Sequence, residues 1–376
     1  MTDAFEPALA AGPVLPPLEP PPPPPPPLGP PPAPGPPLDP APATRRLIGV
    51  SFDLLSRSTD EMRPASFYIG AIVLGTMGAS VLAGSAFQAA SLHLSLDQTT
   101  DAIDGAFGVW VNFLGLIAAL GLIVATIEGR AMAAAILGGH LIRRPVTVRQ
   151  ALARSRSAFW RVLLAALIVA IPVGLTQGGL ALSLGTAFPQ ATELATAVTI
   201  LAGAVVGGPF AYLLSGVVLG DVGPVESMRR SFRVFGVRKA AAFVVALFES
   251  IAQLLILFGV SAGLDIAIRV LDALGLSADP GVAGIALTGL MIVAGVFALG
   301  TLLFTVSAIS IAPQVVMFVG LTHATMGLDH VRPGADRDPD ARQPGRRRFR
   351  RFTRPMLAGF AISICGLLGA LSALPS

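Results

Sequence analysis

Cysteine is almost absent from this chain: Cys365 is the only one in 376 residues. No disulfide can form within the chain, and cysteine usage says nothing about redox compartment. Charge is scarce too, at 13% of residues, where a soluble domain carries about 25%. Histidine occurs only at His93, His140, His323 and His330, and their spacing suits no metal site. The chain also lacks a redox motif and a phosphate-cradling glycine loop with a lysine. No catalytic residue, metal or other cofactor is indicated, and a non-enzymatic protein is expected. One hydrolase-like match, "GVSAG" at Gly259–Gly263, falls in an apolar run rather than on a strand–turn–helix elbow. Its only conceivable base would be His93. Small residues that let helices approach explain it better, and Gly203/Gly207 and Gly216/Gly220 have the same packing character.

What is abundant is apolar. Hydrophobic residues make up 53% of the chain, and the mean hydropathy is +0.73. Apolar runs, interrupted by charge only at Arg161 and Glu249, lie at about 67–92, 107–127, 159–184, 194–220, 240–264, 281–321 and 356–374. Each approaches or exceeds the roughly 20 residues that cross about 30 Å of hydrocarbon. The second run meets Glu128 and Arg130 and then continues apolar over 131–142. The sixth is too long for one straight crossing: Pro313 would kink a single span, or the run holds two. The expectation is an all-α polytopic membrane protein with about seven transmembrane helices.

The pI of about 10.1 suggests nucleic acid at first sight. The placement of the basic residues excludes that reading, because they cluster in alternate loops between apolar runs. The loop 93–106 carries only Asp97, Asp101 and Asp104. Arg143, Arg144, Arg149, Arg154 and Arg156 come after the second run, and Arg229, Arg230, Arg233, Arg238 and Lys239 after the fourth. The densest cluster, Arg332–Arg354, comes after the sixth. By the positive-inside rule these loops are cytoplasmic, which places the N-terminus inside and the C-terminus outside a cell membrane. Tyr68, Trp110 and Trp160 fall at expected helix ends, as interfacial aromatics do.

Residues 1–44 are proline-rich, with an unbroken run from Pro20 to Pro27. Such a segment takes neither helix nor sheet and is expected to stay extended. It lacks the layout of a signal peptide, so the first span is expected to act as an uncleaved anchor. Two readings stand for this tail: a disordered, solvated segment, or a ligand for a proline-binding cytosolic partner.

An internal repeat emerges on the pair Arg-Ser. "LSRSTDEM" (Leu55–Met62), "LARSRSAF" (Leu152–Phe159) and "MRRSFRVF" (Met228–Phe235) share one frame. Phe52, Leu55 and Met62 have helical spacing, as do Val225, Met228, Phe232 and Phe235. Such stretches read as amphipathic elbow helices on the inner membrane face. "PFAYLLSG" (Pro209–Gly216) and "PQVVMFVG" (Pro313–Gly320) form a second echo in the even-numbered spans. The pattern implies three parallel units of elbow plus helical hairpin, at about 45–142, 143–220 and 221–331. They make a six-helix core over 45–331, with a basic cytoplasmic linker at 332–354 and one extra span at 355–376. For Arg57, Arg154, Arg230 and their partners Ser58, Ser155 and Ser231, two roles remain open. The arginines either snorkel and the serines cap their own helices, or together they bind anionic lipid headgroups or phosphate on the cytoplasmic side.

The stretch "DVGPVESMRRSFRVF" (Asp221–Phe235) resembles the elbow in the membrane domain of bacterial glycerophosphoryl diester phosphodiesterases and its uncharacterised polytopic relatives. The matching positions are Gly223, Pro224, Glu226, Ser227, Arg230, Ser231 and Phe232, with Ser227 where the family has Ala. The resemblance implies a six-helix core of hairpins over about 45–330. It implies no catalysis, because the phosphodiesterase activity of that family belongs to a separate soluble domain that this chain does not contain.

Ionisable groups inside spans are functional candidates by default. Glu249 lies about ten residues into the fifth run, with Gln253 one turn on, and no basic residue is expected at its depth. It is either hydrogen-bonded structurally or the centre of a transporter or lipid-translocator site. Glu128 and Arg130, two residues apart, point to different faces and are expected to pair with other helices. Asp265 and Arg269 read as an ordinary surface pair.

Overall fold

A computed structural model describes residues 42–78, 100–188, 190–273, 281–327 and 330–334. The proline-rich tail before residue 42, most of the first span, the acidic residue Asp97, Cys365, the linker from 335 and the seventh span lie outside the described residues. So do the side chains of Gln253, His323 and Trp110.

Every described element is helical. A short 3-10 turn at Thr44–Arg46 leads into α1 (Leu47–Arg57), followed by α2 (Thr59–Val73), which widens into a π-helix at Leu74–Gly78. Next come α3 (Thr100–Leu141), α4 (Val148–Ala187), α5 (Thr192–Gly207) and α6 (Leu213–Leu219). The series ends with α7 (Pro224–Val237), α8 (Lys239–Ala273) and α9 (Gly281–Met326). Among the described residues four stretches are long and apolar enough to cross a membrane: Ala118–Leu141, Val148–Ala187, Glu193–Leu219 and Val293–Thr322. The fifth expected span falls on α8, a helix of 35 residues outside those four.

Local signals explain several boundaries. Thr147 and Gln150 form a reciprocal capping box that starts α4: the Gln150 amide donates to the Thr147 hydroxyl at 3.3 Å, and the Thr147 amide donates to the Gln150 side chain at 2.9 Å. Gly223 and Pro224 start α7, where a missing N–H costs nothing. At Pro209 the ring removes a donor and crowds the preceding turn, so the fourth span breaks into α5, a 3-10 turn at Gly208–Phe210, and α6. Pro313 has no such effect, and α9 runs 46 residues without interruption. At 1.5 Å per residue that is about 70 Å, more than twice the hydrocarbon thickness. The sixth run is therefore one helix.

The second elbow also differs from expectation. "LARSRSAF" is not a separate interfacial helix but the first turns of α4, continuous with the third span for 40 residues. Nothing in its sequence breaks the helix. By contrast, the non-helical backbone of Ser58 separates the first elbow from α2, and that of Arg238 separates the third from α8.

The second half of α3 is the central post. Ala131 to Leu137 are all fully buried, as a helix wrapped on every side must be. Around it pack α2, α4, α6 and α9. Gly70 of α2 and Gly300 of α9 let two backbones meet: a Cβ on Gly300 would lie 2.7 Å from the Gly70 Cα. The outer face is apolar instead. On α4, Trp160, Leu164, Leu167, Ile171 and Leu175 recur at helical spacing and are all exposed, Trp160 at 76%. A continuous face of this kind is costly in water and compatible with a lipid surrounding.

Candidate functional site

Two serines of the third elbow converge on the break in the fourth span. Where Pro209 interrupts the helix, regular backbone pairing is disturbed. These serines, on α7, bond to the backbone at this break. The Ser231 hydroxyl donates to the Pro209 carbonyl at 2.6 Å and accepts from the Tyr212 amide at 3.3 Å. The Ser227 hydroxyl donates to the Leu213 carbonyl at 2.6 Å. Both serines are buried, and Gly216 leaves the room that Ser227 needs.

The other end of α6 is closed by Arg154. Its Nε and Nη2 donate to the Val218 carbonyl at 2.8 and 2.6 Å, and Nη1 donates to Asp221 at 3.1 Å. Arg161 reaches the same Asp221 oxygen at 3.0 Å. A cation at a helix C-terminus matches the sign of the macrodipole. The Arg332 amide caps the Leu219 carbonyl at 2.7 Å, so the chain is docked on the bundle as far as Gly334 and the linker starts later than 332. Asp221 has φ of 53°, a left-handed conformation that Asp tolerates better than most residues. Burial alone would raise its carboxyl pKa, but Arg154 and Arg161 outweigh that and hold it below the ordinary carboxylate value.

The Arg-Ser pairs therefore divide by position. Ser58, Ser155 and Ser231 are all buried and bonded to backbone: Ser58 to Leu54 at 3.0 Å in its own helix, Ser155 to Glu128 of α3 at 3.2 Å. In the structure all three serine hydroxyls bond to backbone carbonyls. Arg154 is likewise taken by protein partners, because its side chain is only 6% exposed. Arg57 is exposed. Arg230 is half-buried, and its Nε bonds to Glu226 at 3.0 Å. The three pairs do not come together in one site.

Within the bundle, Glu249 of α8 is not alone. Arg130 of α3 donates to one carboxylate oxygen at 2.6 Å, and the Gln314 side chain of α9 donates to the other at 2.8 Å. The expectation that no basic residue shares its depth is overturned, because α3 carries Arg130 to the same level. Arg130 and Glu128 do serve different faces. Arg130 meets α8, whereas Glu128, only 4% exposed, lies within electrostatic reach of Arg156 of α4. Arg156 also donates to the Tyr68 hydroxyl of α2 at 2.7 Å. Near the end of α3, His140 and Glu61 lie 2.9 Å apart. Asp265 and Arg269 form the expected exposed pair at 3.1 Å.

Three residues escaped the sequence reading. Gln314 is a polar residue inside an apolar run beside Pro313, and that contrast is the signal that marks it. Asp221 and Tyr212 flank the broken helix, and only the position of that break gives them meaning. Ser261 of "GVSAG" lies within helical α8 and is exposed, away from any strand–turn–helix elbow.

Among the described residues no group of His, Cys, Asp and Glu has the makings of a metal site. The chain matches no family model, no curated protein and no solved structure. What the geometry defines is an all-helical protein with helices fit to cross a membrane, its broken span sealed by elbow side chains.

Proposed function

We propose that this chain is a non-enzymatic, multi-pass module of the cell membrane whose basic elbows contact anionic lipid headgroups from the cytoplasmic side. In this reading seven helices span the bilayer, the N-terminus lies inside and the C-terminus outside, and three elbow-plus-hairpin units build the core. The proline-rich tail then stands on the side where a proline-binding partner would meet it.

One observation carries the reading. Helix α7 is pinned on its inner side by Ser227 and Ser231, while Arg229 and Arg233 are exposed and Arg230 half-exposed. Val225 and Phe232 are exposed beside them. An anchored helix that presents arginines next to bare apolar side chains suits the boundary between headgroups and acyl chains.

Liposome flotation tests it. Reversing Arg57, Arg230 and Arg233 to Glu is expected to weaken binding to vesicles rich in phosphatidylglycerol. Reversing Arg269, at the opposite end of α8 from the elbow, is expected to have little effect. Equal losses from both would leave only non-specific electrostatic attraction.

The alternative, a transporter or lipid translocator centred on Glu249, loses its motive. Its motive is an isolated carboxyl, and Arg130 and Gln314 each bond to one of the Glu249 carboxylate oxygens. A part-buried pair that ties α3, α8 and α9 is explained by cohesion of the bundle alone.

A further inference from the structure

The third elbow covers a cavity of about 430 Å³, within the range of small-molecule sites (about 300–1,000 Å³). Its lining is mixed. Arg230, Arg233 and Glu226 of α7 supply charge, and Val234, Val237, Phe318 and Leu321 supply apolar surface. Tyr212 lines the same cavity from the broken span. Its side chain is 2% exposed, and its hydroxyl has no hydrogen-bond partner among the described residues.

That hydroxyl is the informative atom. Buried phenols bond almost without exception, and one left unbonded points to a missing partner. The nearby Ser227 and Ser231 do not supply it, because their hydroxyls are committed to Leu213 and Pro209. Arg238 lies close enough to act on the phenol electrostatically. Arg230 uses only Nε on Glu226, and its terminal nitrogens have no partner among the described residues. Donors therefore line the cavity: a phenol, the Arg230 fork and Arg233. In the lining only the Glu226 carboxylate opposes two guanidiniums. Beside them, Val234, Val237, Phe318 and Leu321 offer carbon.

We infer that the cavity holds one anionic phospholipid. Its phosphate accepts from Arg230, Arg233 and the Tyr212 hydroxyl, and the start of an acyl chain lies against Val234, Val237 and Phe318. Arginine's planar fork suits phosphate oxygens, and a lining that combines guanidinium donors with apolar side chains suits an amphiphile. The inference rests on the reading of the elbows as lipid-facing and narrows it to one site. The first elbow also borders a cavity, but its cation is Arg63 alone, with no buried, unbonded group beside it.

The test uses the full chain in detergent. Native mass spectrometry counts retained phosphatidylglycerol, with phosphatidylcholine as the neutral comparison. Wild type is expected to keep one phosphatidylglycerol molecule. Arg230→Gln with Arg233→Gln is expected to weaken retention about tenfold or more, and Tyr212→Phe by several-fold. Tyr212→Phe removes only a hydroxyl that bonds nothing in the protein, so its lipid-free melting temperature is expected to equal or exceed that of wild type. Arg269→Gln is expected to leave retention unchanged. If the Arg230/Arg233 pair keeps phosphatidylglycerol as wild type does, the site falls while the broader lipid-contact reading stands. If wild type does not prefer phosphatidylglycerol to phosphatidylcholine, both fall. If millimolar inorganic phosphate displaces the lipid, the site is one for free phosphate, and the amphiphile is overturned.

Discussion

Arg130 and Glu249 are 119 residues apart in sequence and 2.6 Å apart in space. With Gln314 on the second carboxylate oxygen, this pair joins α3, α8 and α9 through one carboxyl group. Each charged side chain is about one-fifth exposed, so the pair is neither a surface bridge nor a sealed one. Glu249→Gln or Arg130→Gln alone is expected to cost about 1.5–3 kcal/mol, the worth of a hydrogen bond to a charged group. Replacing both with apolar residues of similar size is expected to recover much of that loss. Thermal unfolding in detergent measures it. A Glu249→Gln variant with unchanged stability but abolished flux in proteoliposomes would instead revive the transporter reading.

Asp221 makes stability depend on acid. Its folded pKa is depressed, because the two arginines outweigh burial. The stabilisation is therefore fully present above the unfolded carboxylate value, about 3.9, and is lost as pH falls through the folded value. Asp221→Asn is expected to lower the melting temperature at pH 7, and its deficit relative to wild type is expected to close as pH drops below about 4. A gap that stays constant from neutral to acid pH would show that the charge on Asp221 is not what holds Arg154 and Arg161.

Arg143 ends α3 in the left-handed region, with φ of 59°. The Arg144 amide bonds back to the Gly139 carbonyl at 2.8 Å, a helix ending that glycine fills without a steric penalty. Arg143→Gly is expected to stabilise the folded protein by about 1 kcal/mol, read as a rise in melting temperature.

Two glycines of α9 give opposite outcomes for the same substitution. A Cβ on Gly295 meets nothing within 4 Å, so Gly295→Ala is expected to stabilise by roughly 0.5–1 kcal/mol through helix propensity. A Cβ on Gly300 meets the Gly70 backbone at 2.7 Å and Val73 at 2.9 Å. Gly300→Ala is expected to push α2 and α9 apart and cost about 1–3 kcal/mol.

The helical class, most span positions and the third elbow were legible because they rest on local pattern: apolar runs, a Gly-Pro start and helical periodicity. What was not legible depends on pairing between distant segments. Arg154 reads as an exposed interfacial arginine by its neighbours in sequence, yet packing of α4 against the end of α6 brings it to the Val218 carbonyl. Glu249 reads as isolated from its own run, but the 42-residue α3 carries Arg130 to the same level. The serines of the Arg-Ser frame look like partners of their arginines, but helical geometry turns neighbouring residues to different faces, and the buried faces took the serines.

The orientation of α7 underlies the functional account, and cysteine accessibility reads it directly. With Cys365 replaced by alanine, a cysteine is introduced at Gly236, where a Cβ meets nothing within 4 Å, or at Ala187, exposed at the end of α4. The account predicts that a membrane-impermeant maleimide labels Ala187→Cys in intact cells and labels Gly236→Cys only after the membrane is opened. Labelling of Gly236→Cys in intact cells, with Ala187→Cys protected, would contradict it.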